Sequence, residues 1–222
     1  MSRAYSFAPG EYYHIYNRGV EKRLIFLNKD DYERFTNLLF FCNSSTAVNT
    51  SRQRKGLTFT DYLDRKGENI IDIGAYCLMP NHFHLLVKER SGRGISMFMQ
   101  KLLTAYSMYF NVKNSRKGRL FESSYLSTHA SYDQYLKYLF AYIHLNPIKL
   151  IEPKWKEVGL QNTERIKKYL SHYALSSFKD YTGETRDSGL ILNKKEFPDY
   201  FPRPKDFTNS MFDWIKSNPE KV

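Results

Sequence analysis

A chain of 222 residues is long enough for one sizeable core with an appended tail. Its formal charge of +11, with 18 Tyr and 16 Phe, suits a polyanion whose bases can stack, so nucleic acid is expected as a partner before a membrane. Only Cys42 and Cys77 occur, each in an apolar stretch, which excludes a disulfide framework and a zinc knuckle and fits a reducing cytoplasm.

Taken in order, the chain opens on Met1-Ser2-Arg3-Ala4-Tyr5 without an apolar signal region, and no apolar run approaches the ~20 residues of a membrane span. Tyr12 to Asn17 is aromatic and β-branched and ends at Arg18-Gly19, which predicts a strand. Its alternation puts Tyr12, His14 and Tyr16 on one face, and His14 is either a member of a metal site or an ordinary strand histidine. Asp30 with Glu33 has capping-box spacing, and Tyr32, Phe35, Leu38, Leu39 and Cys42 keep helical spacing, giving a helix from about Asp31 to Cys42. From Asn43 to Asn69 the chain turns polar, with a basic cluster at Arg52-Gln53-Arg54-Lys55 and an aromatic patch at Phe59 to Leu63. This reads as an insertion.

Next come an apolar run from Ile70 to Leu78, a Pro80-Asn81 break and a second apolar run from His82 to Val87, which predict two strands and a tight turn. His82 and His84 then share one face, and Phe83, Leu85 and Val87 the other. A His-x-His pair in a strand supplies two metal ligands with no chain folding needed to bring them together, although two histidines packed on a sheet would give the same pattern.

After Ser91-Gly92-Arg93-Gly94, the residues Ile95, Phe98, Met99, Leu102, Leu103, Tyr106 and Phe110 mark a long amphipathic helix to about Val112. A basic turn through Lys117-Gly118 leads to a predicted strand from Arg119 to Ser127. The order strand, helix, strand, strand, helix, strand is that of an α+β, ferredoxin-like split βαβ sheet, antiparallel with helices on one face. Ser131 with Gln134 has the spacing to open a further helix, closed by Pro147. On it, Tyr142 and Asn146 are four apart and so neighbours on one face, while His144 lies between them and points elsewhere. Residues 1–150 are expected to form one domain, with 151–222 an appendage packed on it.

Together, Met79-Pro80-Asn81-His82-Phe83-His84-Leu85-Leu86 and Tyr142-Ile143-His144-Leu145-Asn146-Pro147 resemble the single-tyrosine HUH transposases, and most closely their REP-associated tyrosine transposase branch. Asn17-Arg18-Gly19, Gly118-Arg119-Leu120-Phe121-Glu122 and Ser176-Ser177-Phe178 add to the agreement, which spans roughly residues 10 to 180. The resemblance implies that His82 and His84 hold a divalent metal, that Tyr142 attacks DNA, and that Asn146 is the third ligand. It also implies single-stranded or hairpin DNA as the partner, with Arg18, Lys117 and Arg119 as DNA contacts, in a cytoplasmic, nucleoid-associated protein that is monomer or homodimer. Two imidazoles and an amide form a softer set than Mg²⁺ prefers, so Mn²⁺ should serve as well or better.

Three functions compete. The first is a nickase and rejoining transposase working through a 5′-phosphotyrosine. The second is a domesticated hairpin-DNA-binding protein with little or no turnover, and the third a metallo-phosphoesterase that uses water. Intact His82, His84, Tyr142 and Asn146 favour the first over the second, and Tyr142 favours it over the third, because a hydrolase has no use for it.

Overall fold

In the computed structural model, which describes residues 7–46 and 59–217, a 4-stranded antiparallel sheet runs in the order β2-β3-β1-β4. Its strands are β1 (Tyr12–Arg18), β2 (Ile71–Met79), β3 (His82–Glu89) and β4 (Leu126–His129). Helix α1 (Lys29–Cys42) joins β1 to β2, and α2 (Gly94–Lys113) joins β3 to β4. This is the ferredoxin-like, split βαβ order that the sequence predicts.

Helices α1 and α2 lie together on one face, where Phe35, Leu38, Phe98, Leu102 and Tyr106 meet Ile15, Phe83, Leu85 and Val87. The face that carries the histidines is covered as well. Over it lie α3 (Asp133–Leu145), α4 (Trp155–Val158), α5 (Thr163–His172), α6 (Phe178–Tyr181) and α7 (Pro204–Ser217). Leu136, Leu139, Phe140 and Ile143 of α3, with Phe207 and Met211 of α7, pack there in the cluster that includes Ala75, Cys77, Met79 and Leu86. Burial on both faces explains why β2 is apolar at nearly every position and does not alternate. Each large apolar side chain buried this way contributes about 1.5–3 kcal/mol.

Several element ends differ from the sequence reading, each for a local reason. Helix α1 begins sooner than an Asp30–Glu33 box would allow: Asn28 Oδ1 accepts from the Asp31 amide (3.2 Å) while the Asp31 carboxylate accepts from the Asn28 amide (3.3 Å). Ser131 does not cap α3, which starts at Asp133 after an extended Tyr132. The first amides of α2 are satisfied from β3, where the buried Glu89 carboxylate accepts from the backbone of Ser91, Gly92, Gly94 and Ile95 at 2.8–3.1 Å. Of the strand expected from Arg119 to Ser127, only its end pairs along β1. Residues 119–125 instead cross the end of the sheet, held by a Gly19–Phe121 bridge and by the Glu122 amide donating to the Arg18 carbonyl (3.0 Å).

The basic cluster of the insertion lies outside the described residues. The insertion is anchored at both ends. Asn43 Oδ1 accepts from the Ile70 and Ile71 amides, and Phe59 stacks on Phe40 with ring centroids 4.4 Å apart. On the far side of the sheet, the segment around Ser176 runs along the outer edge of β2: the Leu78 amide donates to the Leu175 carbonyl (2.9 Å) and the Ser177 amide to the Tyr76 carbonyl (3.0 Å). A bare edge is thereby closed. At the bulge in β2, a Cβ on Gly74 would stand 2.6 Å from the Phe197 ring, so only glycine admits this close approach of the tail.

Candidate active site

The pleat of β3 aims His82 and His84 at the face beneath α3, and β1 contributes His14, Tyr16 and Arg18 to the same face. Arg18 is the register partner of His82, and Tyr16 that of His84. The His82 and His84 rings are 5.0 Å apart and nearly perpendicular. From α3, the Tyr142 ring stands edge-on to His84 at 5.4 Å and to His14 at 5.5 Å. Phenol and imidazoles therefore meet within one chain.

Asn146 follows one turn after Tyr142, where α3 passes into a 3-10 turn (Asn146–Leu150) with Pro147 in its first turn. Pro147 ends the α-helix but not the helical course, which continues as the 3-10 turn. Asn146 is buried; its Nδ2 donates to the Tyr142 carbonyl (2.9 Å) and its Oδ1 accepts from Lys149 Nζ (3.2 Å). That Oδ1 keeps a second lone pair. The Lys149 ammonium lies 5.7 Å from the centroid of the Tyr142 ring.

Electrostatics follow from burial. Burial holds the His14 and His82 imidazoles down at about 4, with Arg18 and Lys149 adding to the effect at His82. Burial also keeps His84 well below the usual histidine range, with His14 and His82 adding to it. All three rings are neutral at pH 7, which is the ligand-competent form. Burial raises the Tyr142 phenol, and the Asn146 side chain and Arg18 pull it back down in part. Burial lowers the Lys149 ammonium.

Among the described residues, no three His, Cys, Asp or Glu side chains gather as a metal site. The Asn146 amide oxygen, beside Tyr142, is a donor of the kind that could join the histidine pair on a divalent cation.

Arg18 pairs with His82, Tyr142 stands against His84 and Asn146 bonds to Tyr142, which gathers these five residues in one place. Lys117 and Arg119 are exposed on the segment that hydrogen-bonds back to residues 18–20, at the end of the sheet. His144 is fully buried: its Nδ1 contacts the Phe140 carbonyl (2.8 Å) and its Nε2 the Ser177 hydroxyl (2.7 Å), which in turn accepts from the Tyr76 amide (2.9 Å). His144 thus ties α3 and the tail to β2 and is not a surface contact. Lys149 joins the site residues without being part of the motif. Its signal was there, seven residues after Tyr142 and three after Asn146, a helical spacing that continues through Pro147.

An antiparallel sheet bearing a His-x-His pair, faced by a tyrosine and an amide one helical turn apart, has the arrangement of a single-tyrosine HUH protein. The chain belongs to the IS200-like transposase family, whose model matches residues 12–146. Among solved structures, a REP-associated tyrosine transposase bound to a REP hairpin is similar over 85% of this chain and 89% of its own, at 14% identity and a TM-score of 0.51. The tRNA(His) guanylyltransferase of Saccharomyces cerevisiae covers 90% of this chain and 86% of its own, but at 11% identity and a TM-score of 0.36 the likeness is too slight to bear on function. No curated protein sequence matches the chain.

Proposed function

We propose that this protein cleaves and rejoins single-stranded DNA at hairpin sequences through a covalent 5′-phosphotyrosine on Tyr142. The observation that carries this reading is the placement of the Tyr142 ring against His84, by residues of one chain, at a site whose titratable rings are neutral. The same contact supports a site complete in a single copy, whether the protein is monomer or homodimer. In this reading residues 1–150 form the catalytic unit and 151–222 its cover.

A divalent cation, Mg²⁺ or Mn²⁺, held by His82, His84 and Asn146 would supply Lewis acidity at the scissile phosphate. Tyr142 Oη attacks phosphorus and the bond to the 3′-oxygen breaks. The phenol gives up its proton and the departing 3′-oxygen takes one up, so proton count and bond energy are conserved and the strand can be rejoined. A phenol raised by burial is protonated at pH 7 and needs positive charge nearby to ionise. Arg18 acts in that direction, and Lys149 lies over the ring. Arg18, Lys117 and Arg119 would hold the DNA backbone, and such a protein would work in the cytoplasm at the nucleoid.

The test is a covalent adduct on denaturing gels with a hairpin-bearing single strand and Mn²⁺. Tyr142→Phe should abolish the adduct, whereas Tyr135→Phe and Tyr138→Phe should retain it. Tyr138 packs on Trp214 and Tyr135 on Tyr138, whereas Tyr142 packs on His84 and His14. Hairpin binding with no adduct under any of these conditions would instead support the domesticated binding protein.

A further inference from the structure

We propose that Asn81 and His14 are the positioning residues of the site, each gripping the Nδ1 of one histidine so that its Nε2 faces the cation. The proposal rests on the reading of His82 and His84 as ligands. An imidazole that binds a metal through Nε2 carries its proton on Nδ1, and a partner for that proton fixes both tautomer and ring orientation.

For His82 the partner is the preceding residue. Asn81 Oδ1 lies 2.6 Å from His82 Nδ1, and Asn81 Nδ2 donates to the Lys22 carbonyl (3.1 Å), which settles which end of the amide faces the ring. The Lys22 carbonyl is itself held in place by an unusual turn. Glu21 and Lys22 have φ of 56° and 58°, a left-handed pair that non-glycine residues rarely adopt. That turn is bound to the Pro80-Asn81 turn by the Gly19 amide donating to the Asn81 carbonyl (2.9 Å) and the Ile25 amide to the Pro80 carbonyl (2.9 Å).

For His84 the partner comes from the neighbouring strand. His14 Nε2 lies 2.9 Å from His84 Nδ1, both rings are buried, and Tyr16 stacks on His14 with centroids 4.9 Å apart. With the proton on His84 Nδ1, His14 Nε2 is the acceptor. The reverse tautomer would put a proton on His84 Nε2 and close that atom to a cation. His14 therefore belongs to the site without binding the ion.

The experiment measures Mn²⁺ affinity of the full chain without DNA, by the electron paramagnetic resonance signal of free Mn²⁺. His14→Phe, which keeps a ring and removes the acceptor, and Asn81→Ala should each weaken Mn²⁺ about ten- to hundredfold. His14→Gln, which restores an acceptor, should recover most of the loss, and hairpin binding in EDTA should be unchanged in all three variants. Unchanged Mn²⁺ affinity in His14→Phe would overturn the proposal. So would a His14→Gln protein as weak as His14→Phe, since packing and not the acceptor would then be responsible. If His14→Phe does not fold, His14→Gln decides alone: affinity within threefold of the unchanged protein supports the role, and a tenfold loss refutes it. His82→Ala and His84→Ala serve as the separate control, because if they bind Mn²⁺ normally it is the ligand assignment that fails.

Discussion

Lys149 shows how a single side chain can serve two neighbours. It donates to the Asn146 oxygen and lies over the ring of Tyr142, so in the proposed reaction its charge would favour the phenolate and an incoming phosphate. Replacing it by Ala should slow single-turnover cleavage about tenfold or more, equivalent to at least ~1.4 kcal/mol at the transition state, while Arg should retain most of the rate. A Lys149→Ala protein that cleaves at the original rate would remove the residue from the mechanism. The residues at the site differ in how readable they were. A period of two on a strand and of four on a helix pairs His82 with His84 and Tyr142 with Asn146, while the roles assigned to them come from the family resemblance. His14 carries no such signal, since its partner His84 lies 70 residues away and only the pairing of β1 with β3 joins them. Asn81 could be read only as a turn residue, because its second bond, to the Lys22 carbonyl, depends on a distant turn.

At the level of elements, strands and long helices followed from alternation and from 3.6-residue spacing, and the ends did not. Capping is decided by which of several competent side chains the tertiary structure frees, and at α1 the choice falls on Asn28 and Asp31. Asp31 does more than cap. Its Oδ1 accepts from Lys113 Nζ (2.6 Å) and from the Tyr109 hydroxyl (3.0 Å), and its Oδ2 from the Leu27 amide (2.8 Å), so one buried carboxylate joins the start of α1 to the end of α2. Burial alone would raise its pKa, but the bonds to Lys113, Leu27 and Tyr109 together outweigh burial and lower it. A carboxyl depressed in the folded state stabilises above its unfolded value, about 3.9, and loses that contribution as pH falls below it. Urea titrations should therefore show this share constant from neutral pH to about 5 and fading below about 4. Asp31→Asn should lose about 1–3 kcal/mol at pH 7 and show a flatter acid limb than the unchanged protein. An equally steep acid limb in the variant would assign the acid sensitivity to other groups.

For the molecule as a whole, a formal charge of +11 favours a polyanionic partner, and in the proposed function that partner is DNA. Affinity for a hairpin should fall steeply and linearly on a log–log plot against salt, and an unpaired or hairpin strand should be preferred to blunt duplex across the titration. Equal affinity for both forms would leave charge alone as the basis of binding. No helix among the described residues is long and apolar enough to cross a membrane.

The grip of the Gly19–Ile25 loop on the Pro80-Asn81 turn makes two stretches some 60 residues apart one mechanical piece. Sequence comparison would treat Asn17-Arg18-Gly19 and Met79-Pro80-Asn81-His82 as independent signatures, yet the loop that follows the first is hydrogen-bonded to the turn within the second. A chimera that takes its histidine strand from one parent and its first strand and following loop from another should keep its sheet and lose the alignment of His82, whereas one that moves both stretches together should keep both.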